Sequence, residues 1–481
     1  MTAHTAIIII FTLLDLLCII AVIFVERKNP ASTIAWALVL IFVPFLGFAA
    51  YLMFGSGFHV NKKKKYALKR ISDTLYRRVI SKYIGSNRDE GKAGDITSSR
   101  LVRYLQYEGG HYLTNDNDAR IFTSGQEMFA FMKEDIHRAK KHIHLLYYII
   151  RNDALGRDIV SLLTKKAESG VAVRVMYDSL GSLLSGGRMF KPLIAAGGEV
   201  VAFSPLLFTI SSHLRLNYRN HRKITVVDGE VGYVGGMNIG VEYCGRHKRL
   251  HPWRDTHLRL TGSSVSFLQE RFLIDWMSVA ENDPKEEEFE LFFASPLRRG
   301  DLAVQIASSG PDTHTSSIKY GLLEMLYAAQ KNVYIQTPYF TPDDSLIDAL
   351  RIAASAGVDI RLMIPGVADH LIVGAATYSY AWQLLEAGVK VYRYKGFLHA
   401  KTMVIDGTTA TIGTTNIGAR SFSLNFEVNA FIYNLSFAQE CERIFLQDQQ
   451  HCERLEPSWF KSRNPGVRAA YGVCRLFAPL I

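Results

Sequence analysis

Two short stretches of this sequence repeat one arrangement of reactive side chains. The first is His221-x-Lys223-x4-Asp228, followed by Asn238. The second is His399-x-Lys401-x4-Asp406, followed by Asn416. In both, the Asn comes ten residues after the Asp. An imidazole can attack phosphorus or shuttle a proton, and an ammonium can hold a phosphate oxygen. An amide adds a neutral donor to the same oxygens. The segments Ile224-Thr225-Val226-Val227 and Thr402-Met403-Val404-Ile405 read as buried strands. Residues i and i+2 of a strand share a face, so each imidazole and its ammonium point to the same side. One such copy is an ordinary surface strand. Two copies at identical spacing describe a site for a phosphate ester.

Beyond each motif an acid opens an apolar run, Asp255 in Trp253-Arg254-Asp255-Thr256-His257-Leu258 and Glu427 in Asn425-Phe426-Glu427-Val428-Asn429-Ala430. A carboxylate at this repeated position is expected to orient an imidazole and to stabilise its cation. No metal or other cofactor is expected. The two lysines occupy the place a divalent ion would need, and neither H-E-x-x-H nor a dense carboxylate cluster occurs. His142-x-His144 has no counterpart in the other copy and reads as a core or edge pair.

The elements that position these residues are also written twice. His142-Ile143-His144-Leu145, a helical stretch and Gly170 to Met176 are matched by Asn332-Val333-Tyr334-Ile335, a helical stretch and Gly357 to Met363. Ala196-Gly197-Gly198-Glu199-Val200 is matched by Ala387-Gly388-Val389-Lys390-Val391. The same elements recur in the same order about 180 residues apart, which is an internal duplication. Apolar β-branched runs alternating with amphipathic stretches predict an α/β fold with a largely parallel sheet in each half. The site then lies between the halves.

The 481 residues are 48% apolar and 21% charged, which excludes a disordered chain. The net charge of +10 suits an anionic partner. Five scattered cysteines without a C-x-x-C exclude a disulfide scaffold or a zinc ribbon, and a reducing compartment fits. Ile7 to Val25 is almost unbroken apolar sequence, and Ile34 to Phe54 is 21 residues without a charge. Each is long enough to cross roughly 30 Å of hydrocarbon as a helix. The polar break Glu26-Arg27-Lys28-Asn29-Pro30 makes them a hairpin. No Lys or Arg precedes the first run, as a signal peptide would require. Asp15 within it would cost about 2.5–3.5 kcal/mol to insert as a carboxylate. Lys62 to Lys65, with Lys69 and Arg70, follow the second run and predict a cytoplasmic N-terminus and catalytic part. The same lysines either mark topology alone or also hold anionic headgroups. The expected organisation is a transmembrane hairpin over 1–57, a basic juxtamembrane segment over 58–115, two catalytic halves over 116–295 and 296–455, and an amphipathic tail over 456–481. That tail, with Trp459, Phe460, Leu476 and Phe477 among Lys461, Arg463, Arg468 and Arg475, reads equally as a headgroup-level segment or a helix packed on the core.

The duplicated motifs resemble the phospholipase D superfamily. With the two apolar runs, the whole chain resembles its bacterial cardiolipin synthases. Gly235-Gly236-Met237-Asn238-Ile239-Gly240, Ser309-Gly310-Pro311, Pro338-Tyr339-Phe340 and Arg420-Ser421-Phe422 carry the likeness further. Gly418 departs from it, because many relatives have Asp two residues after the second Asn. The resemblance implies a membrane phosphatidyltransferase that joins two phosphatidylglycerols into cardiolipin and glycerol through a phosphatidyl-histidine. It implies His221 as nucleophile and His399 as acid and base. A hydrolase releasing phosphatidic acid would share every one of these residues. A nuclease is disfavoured by the two apolar runs and the lack of a nucleic-acid module. A non-catalytic scaffold is disfavoured because both motifs are intact. Without a metal in the chemistry, turnover is expected to persist in excess EDTA, and its loss with recovery on adding a divalent ion would contradict this reading.

Overall fold

In the computed structural model the described residues are 99–476, except 184–186, 204–217, 248, 281–283, 285–287, 289–290, 294–298 and 314. They also include 30–43 and a few isolated positions of the first 98 residues. Most of the first apolar run, Asp15, the lysine run with Lys69 and Arg70, and residues 477–481 lie outside the described residues. A helix covers Pro30–Phe42, from the polar break into the second run, and the Trp36 and Tyr51 rings meet at 5.5 Å. Among the described residues no helix is long and apolar enough to cross a membrane.

Each half contains three parallel strands. In the first half these are His142–Tyr147, Ala172–Asp178 and Glu199–Phe203. In the second they are Asn332–Gln336, Asp359–Pro365 and Lys390–Tyr394. The crossover helices Ala154–Glu168 and Asp344–Ser355 start where the Asp153 and Asp343 side chains accept the amides of Gly156 and Leu346. Those caps satisfy donors the first helical turn leaves open.

The expectation of a largely parallel sheet needs correction. The first parallel strand of each half pairs antiparallel with the motif strand, Lys223–Val227 or Thr402–Ile405. That strand then turns back into Val231–Gly235 or Thr409–Gly413. The turns are Asp-Gly pairs with positive φ at both residues, 54° and 69° at Asp228 and Gly229, and 52° and 62° at Asp406 and Gly407. Asp-Gly between apolar runs is a hairpin signal, because these residues tolerate the left-handed region that such a turn requires.

The same aspartates brace the neighbouring strand. The Asp228 carboxylate accepts the amides of Lys140, Lys141 and His142 at 2.7–3.0 Å. Asp406 accepts those of Gln330, Lys331 and Asn332 at 2.7–2.9 Å. The four residues between Lys and Asp are therefore the length of one strand. Asp228 ends up on the order of 20 Å along the chain from His221.

The halves continue into one mixed sheet of 16 strands among the described residues, joined where Thr114–Phe122 pairs with Leu302–Ser309. The outer face of each half is covered by its own helices. The inner faces share one core, into which helix Ser264–Val279 is buried almost completely. Helix Arg100–Gly109, in the segment expected to be a basic linker, packs Val102 and Leu105 into the second half. The tail helix Pro465–Leu476 lies against helix Leu371–Glu386, with Val467, Val473 and Leu476 exposed.

Asp228→Ala removes a three-amide acceptor and a residue suited to positive φ, so it is expected to lower stability by roughly 1–3 kcal/mol. Chemical denaturation in detergent would measure this. An unchanged midpoint together with abolished turnover would return Asp228 to the chemistry.

Candidate active site

Each reactive histidine is delivered to the opposite half by its backbone. Arg219–Asn220 pairs in parallel with Asn425–Phe426, and Phe397–Leu398 pairs with Trp253–Arg254. The pairing extends to the histidines themselves. The His221 amide donates to the Phe426 carbonyl at 3.0 Å, and the His399 amide donates to the Arg254 carbonyl at 2.7 Å. The side chains then meet the acids that follow those carbonyls. His221 Nδ1 lies 3.0 and 3.1 Å from the two carboxylate oxygens of Glu427. His399 Nδ1 lies 2.7 Å from Asp255 Oδ2. A carboxylate is acceptor only, so Nδ1 carries the proton and Nε2 is left for a reactant.

The acids are fixed in turn. Thr414 donates to Glu427 Oε2 at 2.5 Å, and the Asn425 side-chain amide donates to Oε1 at 3.2 Å. Asp255 Oδ1 accepts the Thr256 amide at 2.7 Å. Gly236 stands where the second half has Thr414, and a Cβ there would lie 2.0 Å from Asp255 Oδ1. Beneath each ring the ammonium of Lys223 or Lys401 is buried and donates to the carbonyl of its own histidine. Asn238 accepts the Ile149 amide at 3.1 Å and donates to the Tyr243 hydroxyl. His221, His399, Asn238 and Asn416 all face one cleft of about 1080 Å³.

Eight of the ten residues singled out from the sequence thus gather at this cleft or directly beneath it. Asp228 and Asp406 do not, for the reason given by the strand length. Sequence reasoning also left out several contributors. Tyr148 sets its ring 5.1 Å from that of His221 and 5.5 Å from the Lys223 ammonium. Trp253, Phe397 and Tyr243 crowd His399 at 5.7–5.8 Å. Arg222 anchors the His221 stretch. It is fully buried, ion-paired to Asp275, and donates to the carbonyls of Glu427 and Ser309 at 3.1 and 3.2 Å. An acid inside an apolar helix, Phe272-Leu273-Ile274-Asp275-Trp276, was the available signal, since a buried carboxylate needs a cation. His142 and His144 are buried and share Gln269, as a core pair would.

The family model described as cardiolipin synthase, PLD-like domain, matches residues 132–248 and 322–449, which are the two halves that share this cleft. The chain is 42% identical to a cardiolipin synthase of Staphylococcus aureus (strain Mu50) over 476 residues, 98% of this chain and 95% of that one. The chain belongs to the cardiolipin synthase family. A cardiolipin synthase of Listeria innocua is 40% identical, with 98% of each chain covered. The model described as phospholipase D-nuclease N-terminal matches residues 13–56. The crystal structure of a phosphatidylserine synthase from Haemophilus influenzae Rd KW20 shares the fold, with a TM-score of 0.61 at 16% identity over 80% of this chain and all of that one. Gly418, unusual against the family resemblance, abuts Thr341. A Cβ there would lie 2.6 Å from its hydroxyl, so this member has no room for a larger residue without moving Thr341.

Burial dominates the electrostatics of this cardiolipin synthase family site. It pushes His221 down to about 4, with Lys223 reinforcing and Glu427 opposing. His399 is lowered by burial and then by Lys401. Burial and mutual repulsion bring Lys223 down to about 7, and burial brings Lys401 to about 8 despite Asp255 and Glu427. Burial raises both acids, but His221 and His399 with the lysines outweigh it and hold Glu427 and Asp255 below the usual carboxylate range.

The lysines are charged below these values and lose their charge above them. The value of kcat/KM for an anionic phosphodiester is therefore expected to fall as pH rises through about 7 to 8. The basic limb of kcat should lie higher, because a bound anion favours the charged lysines. A kcat/KM profile flat across this range would contradict the assignment.

Proposed function

We propose that the protein transfers the phosphatidyl group of one phosphatidylglycerol to a hydroxyl of a second, giving cardiolipin and glycerol. The observation that carries this is the pair of imidazoles facing one cleft, each held at Nδ1 by a carboxylate, with two buried ammoniums beneath. His221 Nε2 attacks phosphorus. The bond from phosphorus to the headgroup glycerol oxygen breaks, and imidazolium His399 gives that oxygen its proton. A phosphatidyl-histidine remains. Neutral His399 then takes the proton from a hydroxyl of the second lipid, whose oxygen attacks phosphorus and releases His221. Burial keeps His221 neutral near pH 7, as a nucleophile must be. Lys223, Lys401, Asn238 and Asn416 hold the non-bridging oxygens, while Glu427 and Asp255 orient the rings and stabilise whichever becomes cationic.

We assign residues 1–57 to a two-helix hairpin in the bacterial cell membrane, 58–115 to the juxtamembrane segment, 116–295 and 296–455 to the two halves, and 456–481 to the tail, with the catalytic part on the cytoplasmic side. The two apolar runs and the basic segment after them support this arrangement. Tethering favours transfer over hydrolysis, because the lipid acceptor is concentrated where water is not.

The test is purified protein in mixed micelles with phosphatidylglycerol as the only phospholipid. Cardiolipin and glycerol should form in equal amounts. His221→Ala and His399→Ala should each reduce turnover by roughly 10³-fold or more, since neither ring can take the other's part. Phosphatidic acid without cardiolipin would make the protein a hydrolase, and near-normal turnover in either variant would end the paired-histidine mechanism.

A further inference from the structure

The two histidine–carboxylate pairs are built alike but supported differently. Glu427 meets the His221 ring with both carboxylate oxygens, at 3.0 and 3.1 Å, whereas Asp255 meets the His399 ring with one, at 2.7 Å. Two further side chains donate to Glu427, the Thr414 hydroxyl to Oε2 at 2.5 Å and the Asn425 amide to Oε1 at 3.2 Å. The direction of the first bond is doubly fixed. A carboxylate has no proton to give, and the Thr414 oxygen itself accepts the Val428 amide at 2.9 Å.

In the other half, Gly236 and Trp253 stand where Thr414 and Asn425 do. Neither can donate to Asp255. Gly236 has no side chain, and a Cβ there would collide with Asp255 Oδ1. Trp253 turns its ring towards His399 at 5.8 Å, beside Phe397 at 5.7 Å and Tyr243 at 5.8 Å. Among the described residues no side chain but that of His399 donates to Asp255, whose other donor is the Thr256 amide at 2.7 Å.

The positive ends of a hydroxyl and an amide facing Glu427 offset part of its charge, so the His221 ring faces a weaker anion. Aromatic faces around His399 act the other way and favour its cation. The nearby charges do not make this distinction. Lys223 and Lys401 act on both rings and on both acids. Burial takes His257, near Asp255, down to about 3 and raises the Tyr148 and Tyr243 phenols, so none of these adds a charge near pH 7. Further out, Arg151, Arg219, Glu242, Arg249, Asp369 and Arg420 line the cleft, and every substitution below keeps them.

We propose that Thr414 and Asn425 are positioning residues, which occupy Glu427 and so keep His221 a neutral nucleophile, while Asp255 and the aromatic faces reserve the cation for His399. The unequal duties of two matched rings are set by the unequal partners of their carboxylates. This rests on the paired-histidine reaction proposed above.

The test uses a phosphatidyl ester of p-nitrophenol in mixed micelles, because this leaving group departs without a proton from His399. His221 Nε2 bonds to phosphorus as the bond to the nitrophenolate oxygen breaks, so kcat/KM reports the attack alone and its acid limb reports protonation of His221. Thr414→Val removes one donor at nearly constant volume. Glu427 then favours the imidazolium, the ring stays protonated to higher pH, and the acid limb should move up by about one pH unit. Thr414→Ser should leave the limb in place. Asn425→Ala should move it in the same direction by less, and decides the matter should Thr414→Val fail to fold. A purely structural role would lower activity at every pH with the limb unmoved, and that result in a folded variant would overturn the proposal. His399→Ala should release a burst of about one equivalent of nitrophenolate per enzyme and His221→Ala none, and the reverse would also overturn it. Parent enzyme that turns phosphatidylglycerol into phosphatidic acid without cardiolipin would instead end the transfer reading, and the limb shift would still decide the role of Thr414 and Asn425.

Discussion

The imidazole of each half is held by a carboxylate of the other. This crossed pairing is the constraint on which the rest of the structure depends. It requires the strand before each histidine to run beside the strand before the opposite acid, and the backbone bonds from His221 to Phe426 and from His399 to Arg254 fix that register. A slip of one residue would turn both rings away from the cleft. The continuous sheet, the shared core around Ser264–Val279 and the buried Arg222–Asp275 pair all hold the two halves in that relation.

Placing two ammoniums and two carboxylates out of water is tolerable only as a balanced set. An unpaired buried ion costs several kcal/mol, and removing one partner leaves the others exposed to that cost. Lys223 and Lys401 balance Glu427 and Asp255, so the floor is neutral when both imidazoles are neutral. A phosphodiester adds one negative charge. Neutrality is then restored by one proton on one ring, which is the protonation state that attack by one histidine and proton donation by the other require. In the proposed reaction, binding the phosphodiester therefore sets up the acid.

Much of this was legible in the sequence because the duplication doubled every signal. The eight cleft residues, the α/β alternation and the two halves follow from spacing and periodicity. Three things did not. Asp228 and Asp406 kept company with reactive residues in the motif, and chain proximity was read as shared chemistry, although a strand of buried residues separates them. Their Asp-Gly turns were visible in the sequence and would have shown the antiparallel hairpins. The crossing of Glu427 to His221 and of Asp255 to His399 could not be read at all. Each acid follows its own half's motif at similar spacing, and only tertiary register decides which ring it meets. The contrast between Arg219 and Phe397 was present in the letters, but it gains meaning only once both line one cleft.

Crossed pairing also bears on how such a protein diversifies. A chain of one half would have to dimerise to complete either histidine, and every substitution would then appear on both sides of the axis at once. Joining the copies end to end removes that symmetry. Arg222 against Ala400, Thr414 against Gly236 and Arg219 against Phe397 are differences that only a fused dimer can keep. Two chemically equal rings can then be given unequal surroundings, as they have in this cleft.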